Sequence, residues 1–375
     1  MTSEIDSRFP PIDFKWQKHA AKRFASPFTG QKFDRIDVDP MMLSHAALIS
    51  GYTINDFYTN PELGARCVAN ASQMYDLLPV THWYFSLPWM DELGADVMFK
   101  PFLPPVVKEP TIFDVEGVDK LEVPDVEDLE KGWTGRQMIK VHDYVQKNLP
   151  EMFIPMTYTS DLTGGGAQLC GLANFIMWTM SERDAAHKLV RKYTETAING
   201  AEMMANRYGM AFISTGSVLA NNDIFCDADI NELSVRYLKD FVHKSLMKGA
   251  GPQVLYHLCG NHETSYKLFR DSLVYTPMTI MHAGYMGREV FPSDVLMKEF
   301  GDRATIMGSV DTRIMILPNA KRVYEQAKEQ LIRGRDSKFG YILGTACELP
   351  PDSLPMNVNA LVQAKLLPLV SIVIE

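Results

Sequence analysis

The chain has 375 residues, 46% of them hydrophobic and 22% charged, with a formal net charge of −9. That is a globular composition with length enough for a large core. Its acidic balance excludes nucleic acid and anionic membrane surfaces, which demand a basic footprint. No basic-then-apolar segment marks a secretion signal, and the apolar tail Leu366–Glu375 is about half of what a bilayer crossing needs, so a cytoplasmic location is expected.

Residues 1–35 read as an N-terminal extension, expected to lie as an arm over the rest of the chain or to form a homodimer contact. From residue 36 to 375 no Pro/Gly/Ser-rich linker divides the sequence, which predicts one domain. Ile36–Val38, Thr81–Phe85 and Phe153–Thr157 are candidate strands. Asp114–Leu129 is a polar excursion between the second and third, and its acidic run Asp125–Glu130 reads as solvated surface. Gly164-Gly165-Gly166 has the wrong spacing for a dinucleotide loop and is expected to be a plain loop.

After Met152, short β-rich runs alternate with helical stretches. Over Ser181–Gly209 the pair Ser181 and Asp184 suggests a capping box, apolar residues recur at helical spacing, and Gly209 supplies the stop. The strand Met210–Thr215 follows. Helices near Asn231–Lys248, Glu263–Asp271, Pro292–Phe300 (with Ser293 as cap) and Pro318–Arg333 then lead into strands Gln253–His257, Thr279–His282, Ala304–Met307 and Tyr341–Leu343. A last helix begins near Asn357. Eight strands alternating with helices predict an α/β fold, a single (β/α)8 TIM-type barrel with an N-terminal extension; an open doubly wound sheet is disfavoured because no G-x-G-x-x-G sits at a strand-to-helix turn.

The sharpest local feature is Tyr256-His257-Leu258-Cys259-Gly260, at the C-terminal end of a predicted strand. Residues two apart on an extended backbone share a face, so His257 and Cys259 can share one metal. Alone, the pair reads more readily as a buried histidine beside a small buried hydrophobe. Cys347, however, follows another strand end, and a parallel barrel gathers all its strand C-termini on the face where barrel enzymes place their chemistry. Two sulfurs and one imidazole form a set that zinc favours, with a fourth position left for substrate. Cys67, Cys170 and Cys226 read as structural. Candidate acids or bases at strand ends are Asp161, Asp223, Asp311, Glu348 and His282, the last also an alternative ligand; His187, His243 and His262 suggest no special role. Trp83, Tyr84, Phe85, Trp89, Met156 and Tyr158 are barrel core, or in part an aromatic pocket wall.

On His257-Leu258-Cys259-Gly260-Asn261, Gly308-Ser309-Val310-Asp311, Gln168-Leu169-Cys170-Gly171-Leu172 and the run Gly344 to Asp352, the chain resembles the uroporphyrinogen decarboxylase superfamily, and within it the zinc-dependent, corrinoid-linked methyltransferases. The resemblance implies a (β/α)8 barrel, His257, Cys259 and Cys347 as zinc ligands, and methyl exchange with the cobalamin of a separate corrinoid carrier protein. The decarboxylase branch fits less well. Phe85-Ser86-Leu87 has leucine where those enzymes place an aspartate, and no R-Q-A-G-R occurs. The expected activity is methyl transfer from a methoxylated aromatic substrate (O-demethylation). The alternatives are transfer from methyl-corrinoid to a small coenzyme M-like thiol, a metal-free decarboxylation, or non-catalytic binding of a corrinoid carrier.

Overall fold

The computed structural model describes residues 5–29, 36–77, 85–159 and 161–366. Ten strands occur among them: β1 (Asp37–Asp39), β2 (Val97–Lys100), β3 (Leu103–Val107), β4 (Met156–Thr159), β5 (Phe212–Ser217), β6 (Val254–Asn261), β7 (Thr279–Met286), β8 (Glu289–Val290), β9 (Thr305–Val310) and β10 (Tyr341–Thr345). Seven of them form one parallel sheet in the order β1-β10-β9-β7-β6-β5-β4. Helices connect successive strands, and the sheet curls into a partial barrel of the TIM type, as the alternation predicts. Among the described residues β1 and β4 are its two edges. The expected strand Thr81–Phe85 lies, except for Phe85, outside the described residues.

The two faces of each strand explain the sequence pattern. Along β6, Val254, Tyr256 and Leu258 are buried against the helices, while Leu255, His257 and Cys259 line the interior. β5, β9 and β10 are buried at every position, so none shows the apolar-polar alternation of a strand with one face in water. β2 and β3 form an antiparallel hairpin outside the barrel, and β8 pairs antiparallel with the end of β7.

Several local expectations need correction. Ser181 and Asp184 make no capping box: Leu172–Ser181 is already helical, Ser181 Oγ donates to the Met177 carbonyl, and the next helix, Arg183–Tyr208, starts at Glu182 without a side-chain cap. Its Gly209 stop is as expected, with φ +79°. Ser293 caps nothing; its hydroxyl donates to Gln330 Oε1 at 2.6 Å. The polar stretch Asp114–Leu129 carries two short helices, Val115–Lys120 and Val126–Lys131, N-capped by Asp114 and Asp125. Gly164-Gly165-Gly166 is not a loop but helical, within Leu162–Cys170, and Gly165 leaves room for a neighbour: a Cβ there would lie 2.1 Å from the Tyr193 ring.

The N-terminal segment packs on the helix Pro61–Tyr75. Gln73 accepts the Asp13 N–H at 2.6 Å, and Arg66 donates to the Pro10 carbonyl at 2.5 Å. Among the described residues, no helix is long and apolar enough to cross a membrane.

Candidate metal centre

At the C-terminal end of the strands the interior opens into a cavity of about 520 Å³. β6 contributes His257 and Cys259 to its wall, and the loop after β10 contributes Cys347. That loop can approach because β7 carries Gly284, where a Cβ would stand 2.5 Å from the Ala346 carbonyl oxygen. The Cys259 and Cys347 sulfurs are 3.4 Å apart, and one ligand atom from each of His257, Cys259 and Cys347 lies within 4.8 Å of the other two. Tetrahedral zinc with sulfurs at ~2.3 Å and nitrogen at ~2.0 Å needs ligand atoms of about that mutual separation.

The imidazole is held in the tautomer that a metal requires. Ser309 Oγ donates its one proton to the Ala283 carbonyl at 2.6 Å, so toward His282 Nε2, at 3.2 Å, it can only accept. His282 therefore carries its proton on Nε2 and a lone pair on Nδ1. The Nδ1–H of His257 donates to that lone pair at 2.8 Å. His257 Nε2 is left with a bare lone pair, buried, and without a hydrogen-bond partner among the described residues. Such an orphan costs free energy unless something fills it, and a metal beside two sulfurs does so. Full burial, reinforced by His257, pushes the pKa of His282 well below the ordinary histidine value, so it stays neutral. His282 does not line the cavity; it stands behind His257, the candidate ligand.

The two thiols titrate as a pair. The Cys259 S–H beside it holds Cys347 well below the ordinary thiol range, whereas that thiolate, together with burial, holds Cys259 well above it. The Cys259 carbonyl accepts from His262 Nε2 at 3.1 Å, and His262 Nδ1 meets Ser265 Oγ at 2.9 Å. His262, which in sequence looks unremarkable, pins the backbone of a candidate ligand.

The loop bearing Cys347 is stitched to the segment after β1. Thr345 Oγ1 donates to the Pro40 carbonyl at 2.7 Å, Leu349 N to the Met41 carbonyl at 3.3 Å, and Ser44 Oγ to Glu348 Oε1 at 3.0 Å. Glu348 borders the cavity, and burial raises its carboxyl pKa to about 7.

The other candidates separate clearly. Asp161 borders the cavity, but both its oxygens are taken by backbone N–H groups, Thr163 at 3.0 Å and Leu219 at 2.6 Å, where it caps the helix Leu162–Cys170. Asp223 is exposed and accepts from Asn261 Nδ2. Asp311 is not part of the cavity wall; it caps Thr312–Met315 and pairs through both oxygens with the Arg313 guanidinium. Although burial raises its pKa, the Arg313 hydrogen bonds and charge outweigh that and leave it below the ordinary value. Cys67 and Cys170 are buried as expected; Cys226 is exposed, hydrogen-bonded to Asp229.

The remaining wall is largely apolar. Phe85, Trp89 and Tyr158 pack into the core, the first of the two places expected for them, while Met156 lines the cavity. Trp83 and Tyr84 lie outside the described residues. Ser86 and Leu87 do line it, so an apolar side chain stands where the decarboxylase pattern has aspartate. No Lys or Arg occurs among the described lining residues. Asp39, at the end of β1, also borders the cavity and was not singled out in sequence, since a lone aspartate before Pro40 reads as a turn.

A search of curated proteins finds no match. The fold is similar to that of a methyltransferase from Methanosarcina mazei, with a TM-score of 0.74 at 18% identity over 92% of this chain and 98% of that one. The uroporphyrinogen decarboxylase (URO-D) family model matches residues 19–365, and the chain belongs to that family.

Proposed function

We propose that the chain is a zinc-dependent methyltransferase that moves a methyl group between a small methylated substrate, of the methoxylated aromatic class, and the cobalamin of a separate corrinoid carrier protein. The observation that carries this reading is the buried lone pair of His257 Nε2, oriented from behind and set beside two sulfurs at an apolar cavity. The similarity in fold to a methyltransferase supports it. A decarboxylase of polycarboxylate substrates is disfavoured, because a cavity whose described wall has no Lys or Arg offers nothing to pair their carboxylates.

His257, Cys259 and Cys347 would hold the metal. A site of two thiolates and a neutral imidazole gives zinc no net charge, so when bound it supplies mild Lewis acidity toward the atom that the methyl group leaves. The chain does the rest. His282 and Ser309 fix the ring of His257, and the cavity's apolar walls keep water from the reacting centre and hold an aromatic ring. Glu348, oriented by the Ser44 hydroxyl, presents a carboxyl group able to hand a proton to a departing phenolate oxygen.

The test is methyl transfer to a reduced corrinoid carrier from methoxylated aromatic donors, run beside transfer from a methylated carrier to small thiols. Demethylation of the aromatic donors, lost on zinc removal and restored by zinc, is expected. Transfer to thiols alone would assign the site to the thiol reaction instead.

A further inference from the structure

Among the described residues, three carboxyl groups border the cavity, and they are not equivalent. Asp161 has both oxygens occupied by backbone N–H groups, and Glu348 is held by Ser44. Asp39 differs. Its Oδ1 accepts the Met41 N–H at 2.8 Å, and no described residue donates to its other oxygen. The residue stands at the C-terminal end of β1, in register with Gly344 of β10, three positions before Cys347. Its oxygens are not part of the His257, Cys259 and Cys347 cluster.

A half-satisfied carboxyl group on an apolar wall is a recognition element that waits for a donor. Burial raises the pKa of Asp39 although the Met41 N–H lowers it, so one backbone hydrogen bond does not make up for the hydration its charged form loses. A substrate that brings a hydrogen-bond donor or a positive charge supplies that partner. An anionic substrate meets three carboxyl groups and no Lys or Arg on the described wall. Given the methyl-transfer reading above, on which this rests, we propose that Asp39 determines specificity: its free oxygen takes a donor or cationic group on the body of a neutral or positively charged methylated substrate, and anionic substrates are rejected.

The experiment is equilibrium binding by calorimetry of four probes that share one ring: 4-methoxybenzylamine, 4-methoxyphenol, 4-methoxybenzoate and anisole. Zinc-loaded wild type is compared with Asp39→Asn, which retains an oxygen for the Met41 N–H and so preserves the local fold. In wild type the amine and the phenol should bind at least about tenfold more tightly than the benzoate. In Asp39→Asn the amine should lose about tenfold while anisole is unchanged. Benzoate binding as tightly as the amine, an unchanged ranking in the variant, or no binding by any probe would overturn the assignment. Binding is read without turnover, so a ranking that holds while no methyl is transferred would sink the reaction and leave the substrate class standing.

Discussion

His257 and His282 are register partners on the adjacent parallel strands β6 and β7, which places both rings on one face, stacked at 4.7 Å between centroids with Nδ1 to Nδ1 at 2.8 Å. The strand pairing thereby sets the tautomer of the candidate ligand, through a chain that ends on the Ala283 carbonyl. Replacing His282 with Leu should weaken zinc affinity about 10- to 100-fold. His282→Gln, which can both accept from His257 and donate to Ser309, should recover much of it. Chelator competition measures both, and equal affinity in wild type and His282→Leu would contradict the relay.

Glu348→Gln retains the acceptor for Ser44 but cannot give up a carboxyl proton. We expect turnover to fall about 100-fold with zinc content unchanged. Steady-state kinetics beside metal analysis decides the point; unaltered turnover would leave Glu348 a tether for its loop and nothing more.

Asp311 offers the opposite test. As an N-cap paired with Arg313, its replacement by Ala should lower stability by about 1 kcal/mol and leave zinc binding and turnover intact. Denaturant titration and the same kinetic assay check this. A large loss of turnover in a stable variant would restore Asp311 to the catalytic machinery.

Glu92 carries a pH signature. Its Oε1 accepts the Thr134 N–H at 2.7 Å, its Oε2 is buried without a partner among the described residues, and burial raises its pKa above the ordinary 4.5. Between the unfolded and folded values the native chain keeps a proton that the unfolded chain has lost, so the contribution of Glu92 to stability is full below 4.5 and is lost as pH rises through the folded value. Glu92→Gln, which does not titrate, should therefore gain on wild type as pH rises from acid to neutral. Urea titrations at several pH values would show this, and a difference independent of pH would contradict it.

Much of this was legible in sequence where a short-range rule governs. The strands β4 to β7, β9 and β10 follow from apolar runs between helical stretches, and His257 and Cys259 share a face because strand geometry demands it. Cys347 could be joined to them because parallel strand ends converge. Errors arose where a distant neighbour decides. The expected loop Gly164-Gly165-Gly166 is helical, with Gly165 packed under the ring of Tyr193, and the expected capping box at Ser181 and Asp184 fails because Ser181 already belongs to the preceding helix. Asp39 went unnoticed because a single aspartate carries no spacing signal until its partners are known, and Ser309, though part of the motif Gly308-Ser309-Val310-Asp311, shows its role only through Ala283 and His282.

The central claim is that two distant segments build one metal site. Metal analysis of anaerobically purified wild type beside Cys347→Ser tests it most directly. About one zinc per chain in wild type, sharply reduced in the variant with its circular dichroism intact, is the expected result. Carefully handled wild type without zinc, or a variant that retains it fully, would contradict the account and return His257 and Cys259 to the core.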